Sequence, residues 1–164
     1  ERRCAMGGNG AYDEEWGGIP DAKREYIEMD TKINGHKILM QSSNPQHKSA
    51  PENSNSASPI YLCARVNEET GVIQIHTVAF YSNHKLVKTI DLEYDVNGNL
   101  KPFATTKKKG KVKVTGTHSH NWDANDKGIV GRKSHDPKNI HPVNINDGLL
   151  IKIVEYNKKH NTWK

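Results

Sequence analysis

The sequence predicts an α+β fold: an antiparallel β-meander of about four or more strands, with an N-terminal and a C-terminal helix. Three observations carry this expectation. Apolar and polar residues alternate in short runs between residues 60 and 115. Turn-forming clusters such as Asn97-Gly98 separate those runs. Helical spacing of apolar residues is confined to the two ends of the chain.

The first turns, Gly7-Gly8-Asn9-Gly10 and Gly17-Gly18, read as irregular. Pro20-Asp21 suits a helix start, Tyr26, Ile27, Met29 and Ile33 supply a partly apolar stripe, and Asn34-Gly35 supplies a stop. From Gln41 to Pro59 the chain is mostly Ser, Asn and Pro, which predicts a long surface loop. Strands follow at Ile60 to Val66, Val72 to Tyr81 and Leu86 to Asp95, separated by turns at Asn67–Gly71 and Ser82–Lys85. Ile90, Leu92 and Tyr94 share one face of the third. Lys111 to Thr115 alternates as a fourth strand. The closing helix is expected from about Asp147 to Lys159, with Leu149, Leu150, Ile153, Val154 and Asn157 inward and Asn144 or Asn146 as its cap. Residues 1–59 thus read as an irregular leader with one helix and one loop. Residues 60–164 read as the basic β-sheet portion of the same domain.

The chain has 164 residues, 34% of them hydrophobic, and no run approaches the ~18 apolar residues of a membrane helix. No signal peptide is visible, and a start at Glu1 suits a piece of a longer protein. Cys4 and Cys63 form neither a metal pattern nor a disulfide framework, and Cys63 lies in an apolar run that suits a small buried thiol. Charge is sorted along the chain. Residues 1–100 hold ten Lys and Arg against fourteen Asp and Glu, a net of −4, whereas residues 101–164 hold fourteen against five, a net of +9. A basic half of this kind points to a polyanion such as nucleic acid, with an acidic partner protein as the alternative.

Four of the nine histidines fall between residues 118 and 141. If the strand through Val112 and Val114 continues, Gly116, His118 and His120 share its face, with the two imidazoles about 7 Å apart. Two such groups flank one phosphodiester and supply general base and general acid near neutrality. Arg132 and Lys133 then stabilise the charge on phosphorus, with His135 as another imidazole close by, which completes a metal-independent RNA-cleaving set. Lys107, Lys108, Lys109, Lys111 and Lys113 offer a cationic approach for RNA, and Trp122 stacks a base or anchors the site. This set needs no cofactor. Two neutral imidazoles on one strand face also suit zinc, with Asp123, Asp126, His135, Asp136 or His141 as third ligand. That His-x-His with a later Ser and Asp resembles JAMM-type zinc proteases, although Ser134 and Asp136 lie too far on and at a different mutual spacing.

The stretch Ile75 to Trp122 contains Val78-Ala79-Phe80-Tyr81, Ile90-Asp91-Leu92-Glu93-Tyr94, an Asn-Gly turn, a basic spacer and Gly116-Thr117-His118-Ser119-His120-Asn121-Trp122-Asp123. Over roughly residues 60–157 it resembles C-terminal domains of phage minor head proteins and bacterial polymorphic toxins. Many such tips are similar to the barnase–EndoU–colicin E5/D–RelE group of ribonucleases. The resemblance supports His118, His120 and the Arg132-Lys133 neighbourhood, and it implies an endoribonuclease toxin with tRNA as the foremost substrate. It further implies an acidic immunity protein, no membrane partner, and a secreted or injected effector acting in a target-cell cytoplasm. The other expectations are a zinc-dependent hydrolase and a phage-related nucleic-acid-binding module without catalysis.

Overall fold

The computed structural model describes residues 11–12, 26–41, 50–51, 53–54, 59–66, 73–124, 130–132 and 139–160. Its elements are β1 (Ala11–Tyr12), β2 (Tyr26–Ile33), β3 (His36–Gln41), β4 (Asn53–Ser54), β5 (Ile60–Val66), β6 (Ile73–Ser82) and β7 (Lys85–Asp91). They continue with β8 (Ala104–Lys108), β9 (Lys111–Thr115), β10 (His118–Ala124), β11 (Val130–Arg132), β12 (Ile140–Pro142) and α1 (Gly148–His160). Strands run β1-β4-β7-β6-β5-β3-β2 across one sheet, which β10 joins through β7 and extends with β11 and β12. β8 and β9 form a separate two-stranded ribbon.

The expected antiparallel succession β5-β6-β7 is present. The α+β meander as a whole is not. Among the described residues the protein is mostly β, α1 is the one helix, and the sheet is mixed because β3 and β5 pair in parallel. The N-terminal helix expected over Tyr26 to Ile33 is instead a strand paired antiparallel with β3. Its supposed stop is a hairpin turn: Asn34 and Gly35 have φ of 51° and 79°, the pair of positive values that a type I′ turn needs. Asn-Gly serves equally as a helix C-cap, so the dipeptide alone does not separate the two readings. Burial does. Ile27 is 47% exposed, which breaks the supposed helical stripe. Tyr26 packs on one face of the sheet, while Met29 and Ile33 pack on the other. The Pro20-Asp21 start lies outside the described residues.

β3 was hidden for a related reason. Ile38 and Met40 pack on one side and Leu39 on the other, so this short run is apolar on both faces and shows no alternation. The Ser/Asn/Pro-rich stretch also does more than cover surface. Ala50, Asn53 and Ser54 are buried, and Asn53 pairs with Lys85 at the start of β7. The turn expected at Asn67–Gly71 lies outside the described residues.

Two cores result, one on each face. Ile38, Leu62, Val78, Ile90 and Leu92 meet Leu150 and Ile153 of α1. Leu39, Tyr61, Cys63, Ala79, Tyr81 and Leu86 form the second core, against which Trp122 packs. Asn157, on the inward face as expected, ties α1 to the sheet. Its Oδ1 accepts from Ile75 N at 3.3 Å, and its Nδ2 donates to Tyr94 OH at 2.8 Å. The cap of α1 differs from expectation. Asp147 Oδ1 accepts from Leu149 N at 3.0 Å, whereas Asn144 Oδ1 closes a local turn on Asn146 N. Asp147 has the acidic side chain favoured at a helix N-terminus. Asp147→Ala therefore lowers stability by about 1 kcal/mol in denaturant titrations. Asn146→Ala stays within about 0.5 kcal/mol, and equal effects from the two would refute the capping assignment.

Candidate metal centre

The site begins with a break in the chain. The strand through Val112 and Val114 does not continue to His120: β9 ends at Thr115, Gly116 takes φ +84°, and β10 starts at His118 in the main sheet. A Cβ at Gly116 would stand 1.9 Å from the carbonyl oxygen of Pro102, so no other residue fits this corner. The corner is pinned further by Thr117 N donating to Lys101 O at 2.9 Å and Gly116 N donating to Glu93 Oε2 at 3.3 Å.

Beyond the corner, β10 lies antiparallel to β7 with His118 opposite Asp91 and His120 opposite Thr89. Residues two apart share a face, so both imidazoles and the Asp91 carboxylate stand together on the face opposite α1. His118 Nε2 and His120 Nε2 are 3.1 Å apart, and they lie 3.5 Å and 3.1 Å from Asp91 Oδ2. The rings are edge-to-face with centroids 4.8 Å apart. The rings thus aim at one point instead of flanking a gap of about 7 Å, the separation of two residues along an extended strand.

The backbone selects a tautomer. His118 Nδ1 lies 2.7 Å from Gly116 O, which only accepts, so Nδ1 carries a proton and a neutral His118 presents its Nε2 lone pair. His120 is buried, His118 is half-buried, and the Asp91 side chain is 38% exposed, so the cluster opens to solvent past the carboxylate. Burial raises the Asp91 carboxyl pKa, but hydrogen bonds and charge from His118 and His120 outweigh it and hold the group well below the usual carboxylate range. The Asp91 hydrogen bond likewise raises His118 against its partial burial, helped by Gly116 O and the Asp91 and Glu93 charges.

Asp91, His118 and His120 are the three-ligand cluster among the described residues. For nitrogen and oxygen ligands about 2.05 Å from a tetrahedral ion, the ligands stand about 3.3 Å from one another. The observed edges of 3.1, 3.1 and 3.5 Å match that figure. The bond from Nδ1 to a carbonyl is also the usual outer support of a metal-binding histidine.

Other expected residues fall elsewhere. His141 sits opposite Ser119 on the reverse face of β10, where its Nε2 meets Asn121 Nδ2 at 3.3 Å, so it is no third ligand. Arg132 pairs with Trp122 through the backbone of β11. Asp123 lies in β10. Lys133, Ser134, His135, Asp136 and Asp126 lie outside the described residues. Trp122 donates Nε1 to Thr89 Oγ1 at 2.9 Å and anchors the site against the second core. Lys107, Lys108, Lys109, Lys111 and Lys113 line the exposed ribbon. Asp91 was missed as a ligand. Its one signal was a carboxylate between two buried apolar residues, Ile90 in β7 and Leu92 just after it.

No family model, curated protein or solved structure matches the chain. Geometry therefore carries the functional reading.

The metal-free cluster has a definite pH signature. His118 titrates above its ordinary value of about 6.5, and Asp91→Asn brings it back toward that value in an NMR titration. A raised histidine contributes stability that is full below its unfolded pKa and is lost as pH rises through its folded pKa. The depressed Asp91 contributes stability that is present above its unfolded pKa and lost as pH falls through its folded pKa. Their joint contribution is greatest between about pH 4 and pH 6.5, bounded by the unfolded values. Indifference of His118 to Asp91→Asn would contradict the pairing.

Proposed function

We propose that this protein is a metal-dependent hydrolase with a zinc-class divalent ion held by Asp91 Oδ2, His118 Nε2 and His120 Nε2. The observation that carries the reading is the convergence of those three atoms at tetrahedral edge lengths. Three protein ligands leave a fourth position for water, the arrangement of catalytic rather than structural zinc. An ion held by Asp91, His118 and His120 would supply Lewis-acid activation of a water molecule and of the bond under attack.

The chain's own residues supply the support. Gly116 O orients His118, the β7–β10 pairing sets the carboxylate opposite it, and Trp122 with Thr89 walls the inner side. Access past the exposed edge of Asp91 brings substrate to the open side. Metal-free cleavage by His118 as base and His120 as acid finds less support. Nitrogens 3.1 Å apart and directed at the same carboxylate leave no room for a phosphate between them. The +9 charge of residues 101–164 favours a phosphodiester substrate. The toxin resemblance extends this reading to RNA, delivery into a target cell and an acidic immunity protein. No helix among the described residues is long and apolar enough to cross a membrane.

Metal analysis of the purified protein tests the centre. About one equivalent of zinc is expected, released by acid because the ligands must be deprotonated. Asp91→Ala, His118→Ala and His120→Ala each lose the metal, while His141→Ala retains it. Hydrolysis of a phosphodiester panel, RNA included, falls at least ~100-fold with chelator and returns with zinc. RNA cleavage that persists under chelation, in protein that takes up no metal, would return the site to the metal-free mechanism.

A further inference from the structure

The β8–β9 ribbon carries its lysines in an uneven arrangement. Its strands pair Thr106 with Lys113, Lys107 with Val112 and Lys108 with Lys111. Side chains alternate between faces, so Lys108, Lys111 and Lys113 share one face with Thr106, whereas Lys107, Val112, Thr105 and Val114 share the other. Every residue from Ala104 to Lys113 is exposed. Two of these choices oppose the local structure. Lys108 and Lys111 are like charges directly opposite one another, an arrangement that disfavours pairing. Lys109 and Gly110 form the turn with φ of 54° and 76°, and Lys occupies the position where such a turn favours Asn or Gly. The protein uses Asn at that position in its other two described turns of this kind, Asn34-Gly35 and Asn83-His84. No Asp or Glu occurs between residues 96 and 122 to neutralise the ribbon. An anion from outside the chain would offset the repulsion and give Lys109 in the turn a partner.

We infer that the Lys108–Lys111–Lys113 face of the β8–β9 ribbon is a nucleic-acid-binding surface that grips the phosphate backbone beside the metal centre. The length of the ribbon suits an extended polyanion. Lys111 and Lys113 stand about 7 Å apart along one strand, and Lys108 continues the row across it. Its root is the pinned corner at Gly116, with only Gly116 and Thr117 between the end of β9 and His118. A strand held along the ribbon therefore ends close in the chain to β10, which carries His118 and His120. The contacts are to backbone phosphates, so binding is tolerant of sequence and sensitive to salt. The inference extends the phosphodiester reading, but its test needs no metal, so each can fail alone.

The test measures fluorescence anisotropy of labelled single-stranded RNA and DNA of identical sequence, with the full chain in EDTA, across 50–200 mM salt. One variant carries Lys108→Gln, Lys111→Gln and Lys113→Gln. A charge-matched control carries Lys107→Gln on the opposite face with Lys152→Gln and Lys159→Gln on α1. The ribbon variant should lose at least ~10-fold in affinity near 100 mM salt, with its log–log salt slope flatter by about 2, as expected for three phosphate contacts to a single strand. The control should change less than ~3-fold. Thermal melts and zinc content of both variants should match the parent protein. Tighter binding of RNA than DNA assigns RNA, and equal binding assigns the shared backbone; both outcomes uphold the surface. Equal losses in the two variants would reduce the effect to net charge and overturn the inference. So would binding of neither nucleic acid, which would leave the face to an acidic protein.

Discussion

The register between β7 and β10 is the constraint on which the rest of the site depends. Asp91 lies opposite His118 because these two strands pair antiparallel with His118, Ser119, His120 and Asn121 against Asp91, Ile90, Thr89 and Lys88. A slip of one residue would send both imidazoles to the α1 face and leave the carboxylate alone. The register is held from both sides. Ile90 and Leu92 lock β7 into the core under α1, and Trp122, hydrogen-bonded to Thr89, locks β10 onto the second core. Polar chemistry is thus fixed by apolar packing on either side of it.

The same register explains why the cluster suits a cation. His118 is committed by Gly116 O to presenting a lone pair, His120 Nε2 stands 3.1 Å away, and a carboxylate closes the triangle. A proton satisfies this set in the metal-free protein, which is why Asp91 is held low and His118 high. A divalent ion satisfies it with charge to spare. The partly exposed carboxylate faces solvent while the histidines are more deeply buried, so the cluster is reached past Asp91.

Gly116 divides the basic segment into two structural parts. Before it, β8 and β9 leave the sheet as an exposed ribbon; after it, β10 rejoins the sheet and carries the histidines. The positive φ and the close approach to Pro102 O turn the chain without a gap between cationic arm and cluster. The lysine ribbon and the histidine cluster are therefore neighbours by covalent connection.

The sequence by itself determined the local patterns: the β5-β6-β7 succession, the closing helix with Asn157 inward, the charge split, and the shared face of His118 and His120. Each of these is written within one element, as alternation, helical spacing, or two residues on one strand face. Only tertiary structure decided which local reading prevailed at Tyr26–Ile33, where an Asn-Gly pair suits either a helix end or a hairpin and burial on two faces favoured the strand. It also decided the partner of the histidines. Asp91 precedes His118 by 27 residues, and no spacing rule joins them. They meet because apolar residues on either side of Asp91 and beyond His120 fix one pairing register, and register belongs to two strands at once.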